Sequence, residues 1–152
     1  MISYRLVKEW LARRVQLSES TSILGAAGAL ELIVDEMADA TTLAVLCHPH
    51  SQYGGSMHDA VLQNVLDAMG PRGVTCVRFN FRGVGQSEGH FEHGLGEQQD
   101  CIAVATWARQ QYPVRPIWLA GFSFGSFVAY QSFTKIKAQR LLLVAPPVGL
   151  FQ

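Results

Sequence analysis

The sequence predicts an α/β fold, a mostly parallel sheet with helices on both faces. Three observations lead there. Short apolar runs alternate with helical patterns from residue 43 onward. Residues 43–47 are apolar at every position, as expected of a strand covered on both faces. Finally, Gly121-Phe122-Ser123-Phe124-Gly125 places a serine between two glycines, after a strand pattern and before a helix pattern.

In chain order, residues 1–17 interleave Arg5, Lys8, Arg13 and Arg14 with Leu6, Trp10 and Leu11. That pattern suits a surface helix packed on the domain; a basic amphipathic presequence is the other reading. A polar break follows at 18–22, so residues 1–20 are read as an N-terminal helix and linker, and 21–152 as one domain. Residues 23–25 and 30–34 read as short strands around a small-residue turn at 26–29. Val61, Leu62, Val65, Leu66 and Met69 recur at helical spacing until Gly70-Pro71 stops them. Residues 74–81 are β-branched and aromatic, hence a strand. A glycine-rich loop runs from 82 to 96, and a helix from 97 to 112 is broken by Pro113 and Pro116. A strand at 117–120, a helix at 124–133 and a strand at 140–145, closed by Pro146-Pro147, complete the pattern.

Composition narrows the function classes. The chain has 152 residues, about half of them apolar, only 16% charged, and no net charge. It is a globular domain with nothing that points to nucleic acid or a membrane surface as partner. No apolar run approaches a membrane span. Cys47, Cys76 and Cys101 are widely spaced and set in apolar segments. They read as buried reduced thiols in a cytoplasmic protein rather than a disulfide frame. No cofactor or metal is expected.

The chemistry-bearing stretch is the serine turn. The two glycines leave room for a sharp strand-to-helix turn that holds Ser123 out as a nucleophile. The backbone N–H of Phe124 then points to the same spot at the helix N-terminus, suited to an oxyanion. A loop at 48–57 leaves an early strand. Pro49 has no N–H, so the backbone N–H of His50 is the candidate second oxyanion donor. His48 and His50 could instead be a metal pair, or could pin the loop by hydrogen bonds. The glycines at 83, 85 and 89 only loosely resemble a dinucleotide loop, and no helix starts there. They read better as a packed turn, with Asn80 and Arg82 bracing the active-site face. Glu97 and Asp100 are read as charges suited to a helix N-terminus.

HPHSQYGGSM, RFNFRGVGQSEG, GEQQD and LAGFSFGS, in this order, resemble the α/β-hydrolase superfamily. More narrowly they look like its small hydrolases with a His-Pro-His…Gly-Gly…Met loop. The resemblance covers residues 21–149 and departs at Ser51, where those relatives usually have a second proline. It implies a three-layer α/β-hydrolase sandwich and a serine hydrolase of small acyl substrates, whether ester, thioester or amide.

In that superfamily the acid and then the histidine follow the serine. Here the 27 residues after Gly125 (152 − 125) contain no Asp, Glu or His, and the histidines at 48, 50, 58, 90 and 93 all precede the turn. The strand at 140–145 would also be left as an apolar sheet edge, open to self-association. The expectation is therefore a fold lacking its C-terminal strands, inactive by itself. Two alternatives stand beside it. One is a non-catalytic binding or scaffold module; the other recruits His48 or His50 as base.

Overall fold

The computed structural model describes residues 17–150. The helix read at 1–17 therefore lies outside the described residues, apart from Leu17, which begins a strand. β1 (Leu17–Gly25) and β2 (Gly28–Glu36) form an antiparallel hairpin closed by Ala26-Ala27, in register from Leu17 opposite Glu36 to Gly25 opposite Gly28. The polar break read at 18–22, and with it the boundary at residue 20, thus falls inside β1. β1 is an edge strand with most of its residues exposed, so its sequence carries no apolar signal, and its partner β2 holds it extended.

β3 (Thr42–Cys47) and β4 (Val74–Phe79) are buried along their whole length. β5 (Ile117–Phe122) and β6 (Arg140–Val144) follow. Together they form one six-stranded sheet in the order β1-β2-β4-β3-β5-β6. β4, β3, β5 and β6 are mutually parallel, while the β1–β2 and β2–β4 pairs are antiparallel.

The helices cover both faces. α1 (Ala60–Met69) is capped by Asp59, whose carboxylate accepts from the Val61 N–H at 2.8 Å. It buries Leu62, Leu66 and Met69 against Ala44, Leu46, Cys76 and Ala120. α2 (Leu95–Gln111) and α3 (Phe124–Ile136) cover the other face, where Val104, Ala108, Val128 and Ile136 join Leu43, Val45, Val77 and Leu119. The two-residue period of β3 is visible in this division: 43, 45 and 47 face one core, 44 and 46 the other.

Because β3, β4, β5 and β6 are parallel, their C-terminal ends share one end of the sheet. The loops after Cys47, Phe79, Phe122 and Val144 gather there, as ligand sites do in such sheets. The three cysteines are buried free thiols. Among the described residues, no helix is long and apolar enough to cross a membrane.

Candidate active site

β5 delivers the chain into the serine turn, and α3 starts one residue after the serine. Ser123 has φ 52° and ψ −118°, a backbone region an L-residue enters only under constraint. Its N–H donates to the Val144 carbonyl at 2.9 Å, and its carbonyl accepts from the Ser126 N–H at 2.9 Å and the Ser126 hydroxyl at 2.6 Å. The glycines act by space. A Cβ on Gly121 would lie 2.2 Å from the Gly125 carbonyl oxygen, and one on Gly125 would lie 2.1 Å from that of Cys47. The elbow can therefore sit against the end of β3 only with glycine at both positions.

The loop after β3 comes to the same place. The His50 ring lies 5.1 Å from the Phe124 ring, 4.5 Å from Tyr53 and 4.7 Å from Phe91. The His50 carbonyl accepts from Tyr53 and Gly55, and its Nδ1 accepts from the Gln52 N–H at 3.2 Å. These bonds leave the His50 N–H without an acceptor among the described residues. Burial lowers the His50 pKa; nearby Glu97 raises it again and His93 lowers it.

His48 has a different role. It is fully buried, its Nε2 accepts from the Phe81 N–H at 3.0 Å, and its Nδ1 lies 2.7 Å from the Pro49 carbonyl. A carbonyl can only accept, so Nδ1 carries the hydrogen and Nε2 is the acceptor. Burial lowers its pKa to about 4. With both ring nitrogens engaged, His48 can serve neither as a metal ligand nor as the base for Ser123. Among the described residues no histidine is hydrogen-bonded to the Ser123 hydroxyl, and no group of three or more potential ligands converges on a metal site.

The bracing read for Asn80 and Arg82 has named partners. Asn80 Oδ1 accepts from the Met57 N–H at 2.8 Å, and Asn80 Nδ2 donates to Glu31. Arg82 pairs with Asp100 at 2.8 Å and with Glu92, and its N–H donates to Asp100 at 2.9 Å. Glu97, read with Asp100 as a charge suited to a helix N-terminus, stands in the first turn of α2, and both side chains are fully buried. Glu97 accepts from the Glu92 and Gly94 N–H groups, and Asp100 neutralises Arg82. Arg78 and Asp35, a buried pair joined at 2.6 Å, were not singled out in the sequence. The signal available was an arginine inside an otherwise buried strand.

A strained serine between glycines, set on the strand-to-helix turn at the C-terminal end of a parallel sheet, defines an α/β hydrolase. Residues 38–151 match the family of serine aminopeptidases S33, and the chain belongs to it. It is similar to an α/β serine hydrolase without lid, XC6422 of Xanthomonas campestris (43% identity, TM-score 0.84, 89% of this chain and 64% of that one). An α/β serine hydrolase homologue from Coxiella burnetii is also similar (37% identity, TM-score 0.83, 87% and 64%). So is an uncharacterized protein, RP471 of Rickettsia prowazekii, 37% identical over 109 residues, 70% of this chain and 46% of that protein. The chain thus spans about half to two thirds of the length of these relatives.

Proposed function

We propose that this chain carries the nucleophile and oxyanion site of a serine hydrolase acting on small ester, thioester or amide substrates. The observation that carries the reading is the elbow: Ser123 at φ 52°, with Gly125 packed against the carbonyls of Cys47 and His48. In this reading the Ser123 hydroxyl attacks the substrate carbonyl, and the backbone N–H groups of Phe124 and His50 hold the oxyanion. The hydroxyl proton passes to a histidine, which returns it to the leaving group; water then releases the acyl group by the same steps in reverse roles. No Asp, Glu or His follows Gly125 in these 152 residues, His48 has no free nitrogen, and the His50 ring is hydrogen-bonded to the Gln52 N–H and not to the Ser123 hydroxyl. The proposal therefore assigns the base and its acid to residues the chain does not include.

A fluorophosphonate probe, which reacts with activated serines, tests this in two forms of the protein. The 152-residue chain is expected to label slowly or not at all. A chain extended along the open reading frame is expected to label, and Ser123→Ala is expected to abolish it. Labelling that survives Ser123→Ala would remove the nucleophile assignment. An extended frame without a late Asp and His would favour a non-catalytic binding module on the same fold.

A further inference from the structure

Met57 closes the loop that follows β3, and both of its backbone groups are gripped by side chains from the end of β4. Its N–H donates to Asn80 Oδ1 at 2.8 Å, and its carbonyl accepts from Arg78 Nη1 at 3.3 Å. Arg78 and Asn80 are two residues apart on extended backbone, so their side chains leave the same face.

Each grip is itself held. Arg78 forks onto Asp35 of β2, Nε to Oδ2 at 2.6 Å and Nη2 to Oδ1 at 3.1 Å. Asp35 also accepts the Ser18 hydroxyl of β1 at 2.6 Å. Asn80 is fastened to Glu31 of β2. Arg78, Asp35 and Asn80 are all buried. A buried ion pair adds little net stability over well-packed apolar side chains. What the pair does here is geometric: the fork fixes the guanidinium plane, and its remaining nitrogen reaches Met57.

The other end of the loop is fixed from the same segment, since His48 Nε2 accepts from the Phe81 N–H. Residues 78–81 therefore hold the loop at both ends, at His48 and at Met57, with His50 between them. We infer that Arg78, braced by Asp35, and Asn80 are positioning residues that clamp Met57 and so set the direction of the His50 N–H. The clamp is a geometric statement about the loop; its catalytic use rests on the oxyanion role proposed above for His50.

Amide hydrogen exchange by NMR on the 152-residue chain reads the clamp without any turnover. Asn80→Ala and Arg78→Lys are expected to speed exchange at Tyr53, Gly55 and Met57 about tenfold or more. Val45 and Leu119, in the centre of the sheet, should change less than about twofold. Lysine keeps the charge but cannot fork onto Asp35 and reach Met57 together. Asn80→Asp combined with Glu31→Gln, which keeps both the acceptor for the Met57 N–H and a donor–acceptor pair between residues 80 and 31, should return that amide to slow exchange. Acceleration spread evenly over loop and sheet, or an unchanged loop, overturns the clamp. In a probe-reactive, extended form, Arg78→Lys should lower kcat about tenfold with KM within twofold. A raised KM at constant kcat contradicts the positioning role. If exchange is local but Ser123 never reacts in any form, the clamp stands and the hydrolase reading fails.

Discussion

Phe81 donates its backbone N–H to His48 Nε2 at 3.0 Å, joining the loop after β4 to the loop after β3. The bond exists only while His48 is neutral, because a protonated ring would aim an N–H at an N–H. Its pKa falls from 6.5 to about 4, chiefly through burial. Between those values the unfolded chain binds a proton that the folded chain does not. The stability that neutral His48 contributes is therefore fully present above pH 6.5 and is lost as the pH falls towards 4, by about 3 kcal/mol in all. Urea unfolding of the wild type and His48→Gln across this range checks it. The difference in slope between the two should vanish above pH 7; equal slopes at pH 5 would show that His48 is not held neutral.

How far such contacts can be read from the sequence depends on how local they are. The elbow was legible because its chemistry is contiguous: strand, Gly-Phe-Ser-Phe-Gly, helix. β3 was legible because burial on both faces leaves no polar residue between Leu43 and Cys47. β1 was legible only at 23–25, since its serine-rich first part takes its conformation from β2 and shows no alternation of its own. Glu97 and Asp100 look like any acids at a helix start. Only the fold brings Arg82 from 18 residues away onto Asp100, whereas Glu97 bonds the Gly94 N–H three residues before it, a local helix-start contact. The Arg78–Asp35 pair spans 43 residues and two strands, a separation at which no spacing rule operates.

Gly125→Ala should be far costlier than an ordinary glycine replacement. The new Cβ would sit 2.1 Å from the Cys47 carbonyl oxygen and 2.4 Å from that of His48, both backbone atoms that cannot rotate away. Forced separation of α3 from β3 is expected to cost about 3 kcal/mol or more. Gly54→Ala is the comparison: its φ of 83° is strained for alanine, but nothing lies within 4 Å, so about 1 kcal/mol is expected. Chemical denaturation of both variants decides. Equal losses would mean that the elbow is not packed against the end of β3.

β6 is hydrogen-bonded to β5 and ends the sheet among the described residues, with Leu142 42% exposed. An apolar strand with an open edge is a template for another strand. The 152-residue chain is expected to self-associate through residues 140–145, with a sedimentation coefficient that rises with concentration. Leu142→Lys places a charge on that edge and should keep the chain monomeric. A wild-type chain that stays monomeric at high concentration would rule out the contact.

Ser123 is the residue where stability and chemistry pull apart. A φ of 52° with ψ −118° is costly for any residue with a Cβ, of the order of 1–3 kcal/mol, and free for glycine. The strain is held in place by the Val144 carbonyl in front and the first turn of α3 behind. Ser123→Gly should therefore stabilise the chain by about 1 kcal/mol, while Ser123→Ala, which keeps the Cβ, should leave stability nearly unchanged. Both remove the hydroxyl and are expected to be equally unreactive towards a phosphonate in the extended form. Thermal unfolding of the three proteins separates the effects. If the glycine variant melts no higher than the alanine variant, the turn is not strained, and the argument that backbone geometry marks Ser123 as the nucleophile loses its physical basis.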